Sequence, residues 1–145
     1  MVPRYLGVDL GTRRIGVALS DELGLIAQAL PTLEPPREED ALAAIRALID
    51  QYGVAEVVVG LPKNMDGTLG PAAEKALAFA RRLVEGGRVK VTMWDERLTS
   101  KAAERLLIEA DVRRAKRRRA VDQMAAVLIL QGFLDRCHHQ KDRHS

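Results

Sequence analysis

The residues of this chain that could do chemistry together are acids. Asp9 closes the apolar run Tyr5-Leu6-Gly7-Val8-Asp9, with glycines at 7 and 11 on either side of it. Glycines at such places let a ligand or another backbone come close. A carboxylate at the end of an apolar strand is costly to bury alone, and a cation is its natural partner. Asp95 and Glu96 end a second strand-like stretch, and Asp122 falls in the first turn of the last helix. Each has a plainer duty open to it. Asp9 can cap its own turn, Asp95 or Glu96 can pair with Arg97, and Asp122 can complement a helix dipole. Brought together at the carboxyl ends of parallel strands, where α/β sheets place their sites, they would repel one another unless a hard divalent cation held them. Mg²⁺ and Mn²⁺ prefer such oxygen ligands. Two such ions roughly 3.5–4 Å apart can hydrolyse a phosphodiester, one activating water and the other stabilising the leaving oxygen.

Cations lie near those acids in the sequence. The run Arg113-Arg114-Ala115-Lys116-Arg117-Arg118-Arg119 puts six positive charges into seven residues just before Asp122. Such blocks are commonly solvated, but here the block abuts the candidate site, and Arg117 and Arg118 could hold a nucleic-acid backbone through its phosphates. Lys63, Arg13 and Arg97 are further candidate phosphate contacts. Trp94 could stack on a base, although a tryptophan late in a strand is more often core. Cys137 falls late in an apolar helix, where nucleophilic thiol chemistry is not expected, and the histidines gather at the C-terminus.

Length and pattern determine what must position these groups. The 145 residues suit one domain with a core of Ala, Val, Leu and Ile, since only 3% are aromatic. Lys and Arg outnumber Asp and Glu by 23 to 20, and a single cysteine excludes an intrachain disulfide. No signal pattern or membrane-length apolar run is present, so a soluble cytoplasmic chain is expected. Residues 6–9, 15–20 and 25–30 read as three strands of a meander. Residues 38–52 read as a helix with Leu42, Ile45, Leu48, Ile49 and Tyr52 inward and Gly53 as its stop. The unbroken run Val57-Val58-Val59 suits a strand covered on both faces. Pro71 opens a second helix, with Leu77, Ala80, Leu83 and Val84 inward. A strand over 89–94, a helix over about 99–110 and a final helix over about 120–137 follow. The expected domain is 1–137, with a polar tail at 138–145. Three antiparallel strands followed by alternating helices and parallel strands make an α/β fold with a mixed sheet.

With these residues assembled, the chain resembles the YqgF family, also called RuvX, the pre-16S rRNA nuclease family. The matching stretches are Gly7-Val8-Asp9-Leu10-Gly11 with Arg14-Ile15-Gly16-Val17-Ala18, and Gly60-Leu61-Pro62 with Asp66-Gly67. Asp95-Glu96-Arg97-Leu98-Thr99 and Val121-Asp122-Gln123-Met124-Ala125-Ala126 complete the set. The resemblance implies a ribonuclease H-like fold related to Holliday junction resolvases. It also implies a cytoplasmic nuclease that matures the 5′ end of the small-subunit ribosomal RNA precursor. Carried over by position, Asp9, Glu96 and Asp122 would be the catalytic, metal-binding acids, with Mg²⁺ or Mn²⁺ as cofactor. Unlike better-known ribonuclease H-like nucleases, the chain has Gly60-Leu61-Pro62-Lys63 rather than an acid at the end of the 57–59 strand. The second acid must then come from the next strand.

Three further readings compete. A resolvase would act on branched DNA and would need a homodimer to cut two strands symmetrically, whereas an RNA nuclease can work as a monomer. Asp9-Leu10-Gly11-Thr12 also resembles the first phosphate loop of actin-like ATPases, but 145 residues leave no room for their second lobe. A basic RNA-binding assembly factor without cleavage is the third.

Overall fold

The run Val57-Val58-Val59 lies in the second-last strand of a five-stranded sheet, and its two faces are buried in two different cores. The computed structural model describes residues 2–87, 89–96 and 124–138. In chain order the elements are β1 (Arg4–Leu10), β2 (Ile15–Ser20), β3 (Ala27–Leu33), α1 (Glu38–Tyr52), β4 (Val54–Leu61), α2 (Pro71–Glu85) and β5 (Lys90–Asp95). A last helix, α3, covers 124–138. The sheet order is β3-β2-β1-β4-β5. The β1–β2 and β2–β3 pairs are antiparallel, and the β1–β4 and β4–β5 pairs are parallel. The mixed sheet is therefore the one the sequence predicts.

Side chains alternate across a strand, and this divides the molecule. Leu6 and Val8 of β1 and Val57, Val59 and Leu61 of β4 join Leu42 and Ile45 of α1 and Phe79 and Leu83 of α2 in one core. Ala18 and Val58 point the other way, into a core with Ala126, Ile129, Leu130, Phe133 and Leu134 of α3. The helix ends follow their local chemistry. Glu38, Glu39 and Asp40 occupy the first turn of α1, where carboxylates complement the dipole. Gly53 closes that helix at φ 63°, donating to the Ile49 carbonyl, and a left-handed cap of this kind favours glycine. Pro71 opens α2.

Several boundaries differ from expectation. β3 starts at Ala27 rather than Leu25, because the Asp21 carboxylate accepts the Leu25 and Ile26 amides at 2.8 and 3.2 Å and holds both in the turn. It also continues through Pro31, which an edge strand tolerates because a missing N–H costs no ladder bond on its open side. In α2 the inward stripe is Ala73, Ala76, Phe79, Ala80 and Leu83, whereas Val84 is 50% exposed. Val84 lies in the last turn of the helix at the edge of that stripe, beyond the fully covered positions. The α3 helix includes His138, whose Nε2–H donates to the Gly24 carbonyl at 2.9 Å. The helix expected over 99–110, the basic run 113–119 and residues 120–123 lie outside the described residues.

Candidate active site

Asp9 is the second-last residue of β1, and the parallel neighbours β4 and β5 end on the same rim of the sheet. Val8 pairs with Val59, Gly60 with Trp94 and Leu61 with Asp95. Partners in register share a face, so alternation assigns every side chain at the rim. Asp9 and Gly60 fall on the α3 side, opposite to Val8 and Leu61. Asp95 is level with Leu61, and its side chain leaves the sheet on the α1/α2 side. Glu96 is one residue further and returns to the α3 side. Its amide still donates to the Leu61 carbonyl at 3.1 Å, which continues the strand ladder past its formal end. This answers which member of the Asp95-Glu96 pair accompanies Asp9.

Glu96 is 7% exposed, one of two buried polar residues among those described. Its carboxyl group is hydrogen-bonded to the Asp9 side chain. Burial, that hydrogen bond and the negative charges of Asp9 and Asp95, in that order, push Glu96 up to about 9. Its neutral form is thereby favoured beside Asp9. Two carboxyls forced together share a proton because both cannot ionise cheaply side by side. A hard divalent cation can take that proton's place, and two oxygen-bearing groups converging from adjacent parallel strand ends are suitable donors. Among the described residues no three metal-binding side chains converge. Asp122, the third acid expected here, lies outside them.

The room for Glu96 comes from Gly60. A Cβ built on Gly60 would lie 2.5 Å from the Glu96 Cδ, 2.6 Å from its Oε1 and 2.7 Å from the Ile129 Cδ1. The α3 helix sits equally close over β1, where a Cβ on Gly7 would meet the Leu130 Cβ at 2.8 Å and the Ala126 carbonyl at 3.0 Å. Tyr5 meets Phe133 edge-on at 5.4 Å, further from the rim. Thus α3 runs back across β1 from the rim, and Gly7 sets its depth.

Of the candidate phosphate contacts, Arg13 is exposed in the turn joining β1 to β2, closed by the Gly11 amide donating to the Arg14 carbonyl at 2.8 Å. Lys63 lies two residues beyond β4 and is half-buried. Both stand on the rim that carries Asp9. Arg97, Arg117 and Arg118 lie outside the described residues. Trp94 packs into the α3 core, its ring across Gly132, and the Arg136 guanidinium sits 4.8 Å from the ring centroid. With its faces engaged, this ring is core rather than a platform for a base.

Sequence reasoning missed Gly60 as the space for a carboxyl, although the signal was present. Period-two counting from Trp94 puts Glu96 on the tryptophan's face, beside the side-chain-free position 60.

Comparison with known proteins gives the family and the fold. The family described as "RuvX: Holliday junction resolvase" matches residues 3–136. A protein of Geobacillus kaustophilus (strain HTA426) named "Putative pre-16S rRNA nuclease" is 56% identical over 134 residues, 91% of this chain and 97% of that one. A Bacillus cereus (strain B4264) protein of the same name is 54% identical over 135 residues, 92% of this chain and 98% of that one. Among solved structures, T. thermophilus RuvC in complex with a Holliday junction superposes with a TM-score of 0.58 at 16% identity, covering 94% of this chain and 97% of that one. That likeness establishes the ribonuclease H-like fold. Family match and close relatives together span nearly the whole sequence: the chain belongs to the RuvX family.

Proposed function

We propose that this chain is a metal-dependent nuclease that hydrolyses phosphodiester bonds and processes the 5′ end of pre-16S rRNA in the cytoplasm. The observation that carries this reading is the convergence of the Asp9 and Glu96 carboxyl groups on the rim of the parallel strands. Membership of the RuvX family and the names of the close relatives support it. No described helix is long and apolar enough to cross a membrane.

Asp9 and Glu96, with Asp122, would hold Mg²⁺ or Mn²⁺. When bound, such an ion supplies an activated water and neutralises charge at the leaving oxygen. Asp9 presents its carboxylate from a rigid strand end, so the position of the ligand does not depend on a loop. Glu96 would have to give up its proton to serve as a ligand, which would couple metal affinity to pH. Lys63, Arg13, Arg97 and the 113–119 run hold the phosphate backbone, which positions a strand without reading its sequence. Hydrolysis by in-line attack leaves a 5′-phosphate and a 3′-hydroxyl. The reactive domain is 1–137.

The test is cleavage of labelled pre-16S rRNA and of a four-way DNA junction, side by side in Mg²⁺ and in Mn²⁺. Asp9→Asn keeps an acceptor for the Glu96 proton and removes a charged metal ligand. Its cleavage rate is expected to fall by at least about 100-fold, the upper end of what losing even an outer-shell partner of a metal costs, with the unfolding midpoint retained. Cleavage of the RNA alone supports the assignment. Cleavage of the junction alone by a dimer makes the chain a resolvase. Binding of either without cleavage overturns the nuclease reading in favour of an assembly factor.

A further inference from the structure

We propose that Gly60 is a positioning residue for the acid site: the space left by its missing side chain holds the Glu96 carboxyl, so the second acid is delivered from β5 into the place above β4. This rests on the metal-site reading of Asp9 and Glu96, and it extends that reading to a residue with no chemistry of its own.

Three observations carry it. First, register places Gly60 between the two acids. Val8 pairs with Val59, so Asp9 flanks position 60 on one side, and Trp94 pairs with Gly60 on the other. Second, the atoms that a Cβ at position 60 would strike are the Glu96 carboxyl, at 2.5 Å and 2.6 Å, and the tip of Ile129, at 2.7 Å. Third, all of these are ends of flexible side chains, whereas Gly7 faces the Cβ and backbone oxygen of α3. A methyl at position 60 therefore displaces Glu96 without pushing an element of the fold. Gly60 is also buried at an ordinary backbone conformation, since the positive-φ glycines are Gly24, Gly53, Gly67 and Gly87. Its requirement is for space rather than for backbone freedom.

The geometry has a corollary. Shortening Glu96 to aspartate draws its carboxyl back toward β5 by about 1.5 Å, one carbon–carbon bond. That retreat is harmful beside Gly60 and useful beside an alanine. The two substitutions should therefore compensate each other, a sign of direct steric coupling that separate defects would not give.

The experiment measures Mn²⁺ binding by calorimetry, with thermal unfolding in parallel, for wild type, Gly60→Ala, Glu96→Asp and the double variant. Gly60→Ala is expected to fold with an unfolding midpoint close to wild type and to bind Mn²⁺ about 10–100-fold more weakly, the range for residues that orient metal ligands. The double variant should bind more tightly than Gly60→Ala. Wild-type binding by Gly60→Ala, or a double variant no better than that single variant, overturns the inference. So does failure of Gly60→Ala to fold, because the contacts predict that only side-chain tips give way. Wild-type protein that binds Mn²⁺ but cuts no nucleic acid removes the nuclease assignment and leaves this comparison intact. Wild-type protein that binds no Mn²⁺ overturns the metal-site reading and this inference with it.

Discussion

The two faces of the sheet are built by opposite means. The face under α1 and α2 is filled with large apolar side chains, among them Phe79, Leu42, Ile45 and Leu83, each no more than 2% exposed. The face under α3 sets missing side chains among large ones. Gly7 and Gly60 on the strands, and Gly132 on the helix, leave gaps that Leu130, Glu96 and Trp94 occupy. Both acids of the candidate site lie on this second face. An apolar core gains from every methylene it buries, but a buried carboxyl needs a prepared space and a partner. Stability and chemistry are thereby separated by one strand's thickness.

The first face should break hardest. Phe79→Ala removes a fully buried ring between α2 and the sheet, and such truncations cost about 3–5 kcal/mol. Denaturant unfolding should give a loss of that size. Because Phe79 lies across the sheet from Asp9 and Glu96, cleavage per folded molecule in the same protein should be unchanged. A change in rate beyond the loss of folded protein would show that the faces are coupled.

The sequence disclosed these two faces unequally. Strands β1, β2 and β4 and both helices of the first face were legible, because period-two and period-3.6 patterns and the Gly53 and Pro71 punctuation are local signals. The inner stripe of α2 was misjudged by one residue at Val84, since Leu83 and Val84 are equally apolar and only packing separates them. β3 was displaced because the Asp21 carboxylate takes two amides that a strand would otherwise use. At the site, Asp9 could be named from its place at a strand end. Glu96 could be separated from Asp95 only by register with β4, a relation between residues far apart in the chain. The role of Gly60 needed that register too, because period-two counting gives the face of Glu96 but not its neighbour on β4.

The second face should break by displacement. Gly7→Ala places a methyl against the Leu130 Cβ and the Ala126 carbonyl, neither of which can turn aside. The whole of α3 must move outward, an overpacking that costs about 1–3 kcal/mol. Hydrogen exchange should quicken in α3 more than in α1 or α2, which lie on the other side of the sheet. Equal protection losses in all three helices would mean that the faces unfold as one unit.

The smallest effect at mildly acidic pH, and the most diagnostic, belongs to Glu96→Gln in metal-free protein. The amide has the size of the protonated acid and can donate to Asp9 as the acid does, so below about pH 4.5, where wild type holds the same proton folded and unfolded, the variant should unfold close to wild type. The difference lies in the slope with pH. In the folded wild type Glu96 is held up to about 9, against an ordinary value of 4.5. Between those values the folded chain keeps a proton that the unfolded chain has released. The stability it contributes is fully present below about pH 4.5 and is lost as pH rises toward 9. Wild type should therefore lose stability faster than the glutamine variant across that window, in thermal unfolding with a chelator present. Parallel curves would mean that Glu96 is already ionised beside Asp9. Phe79→Ala supplies the contrast, because its lost contacts carry no proton, and its deficit should be the same at every pH.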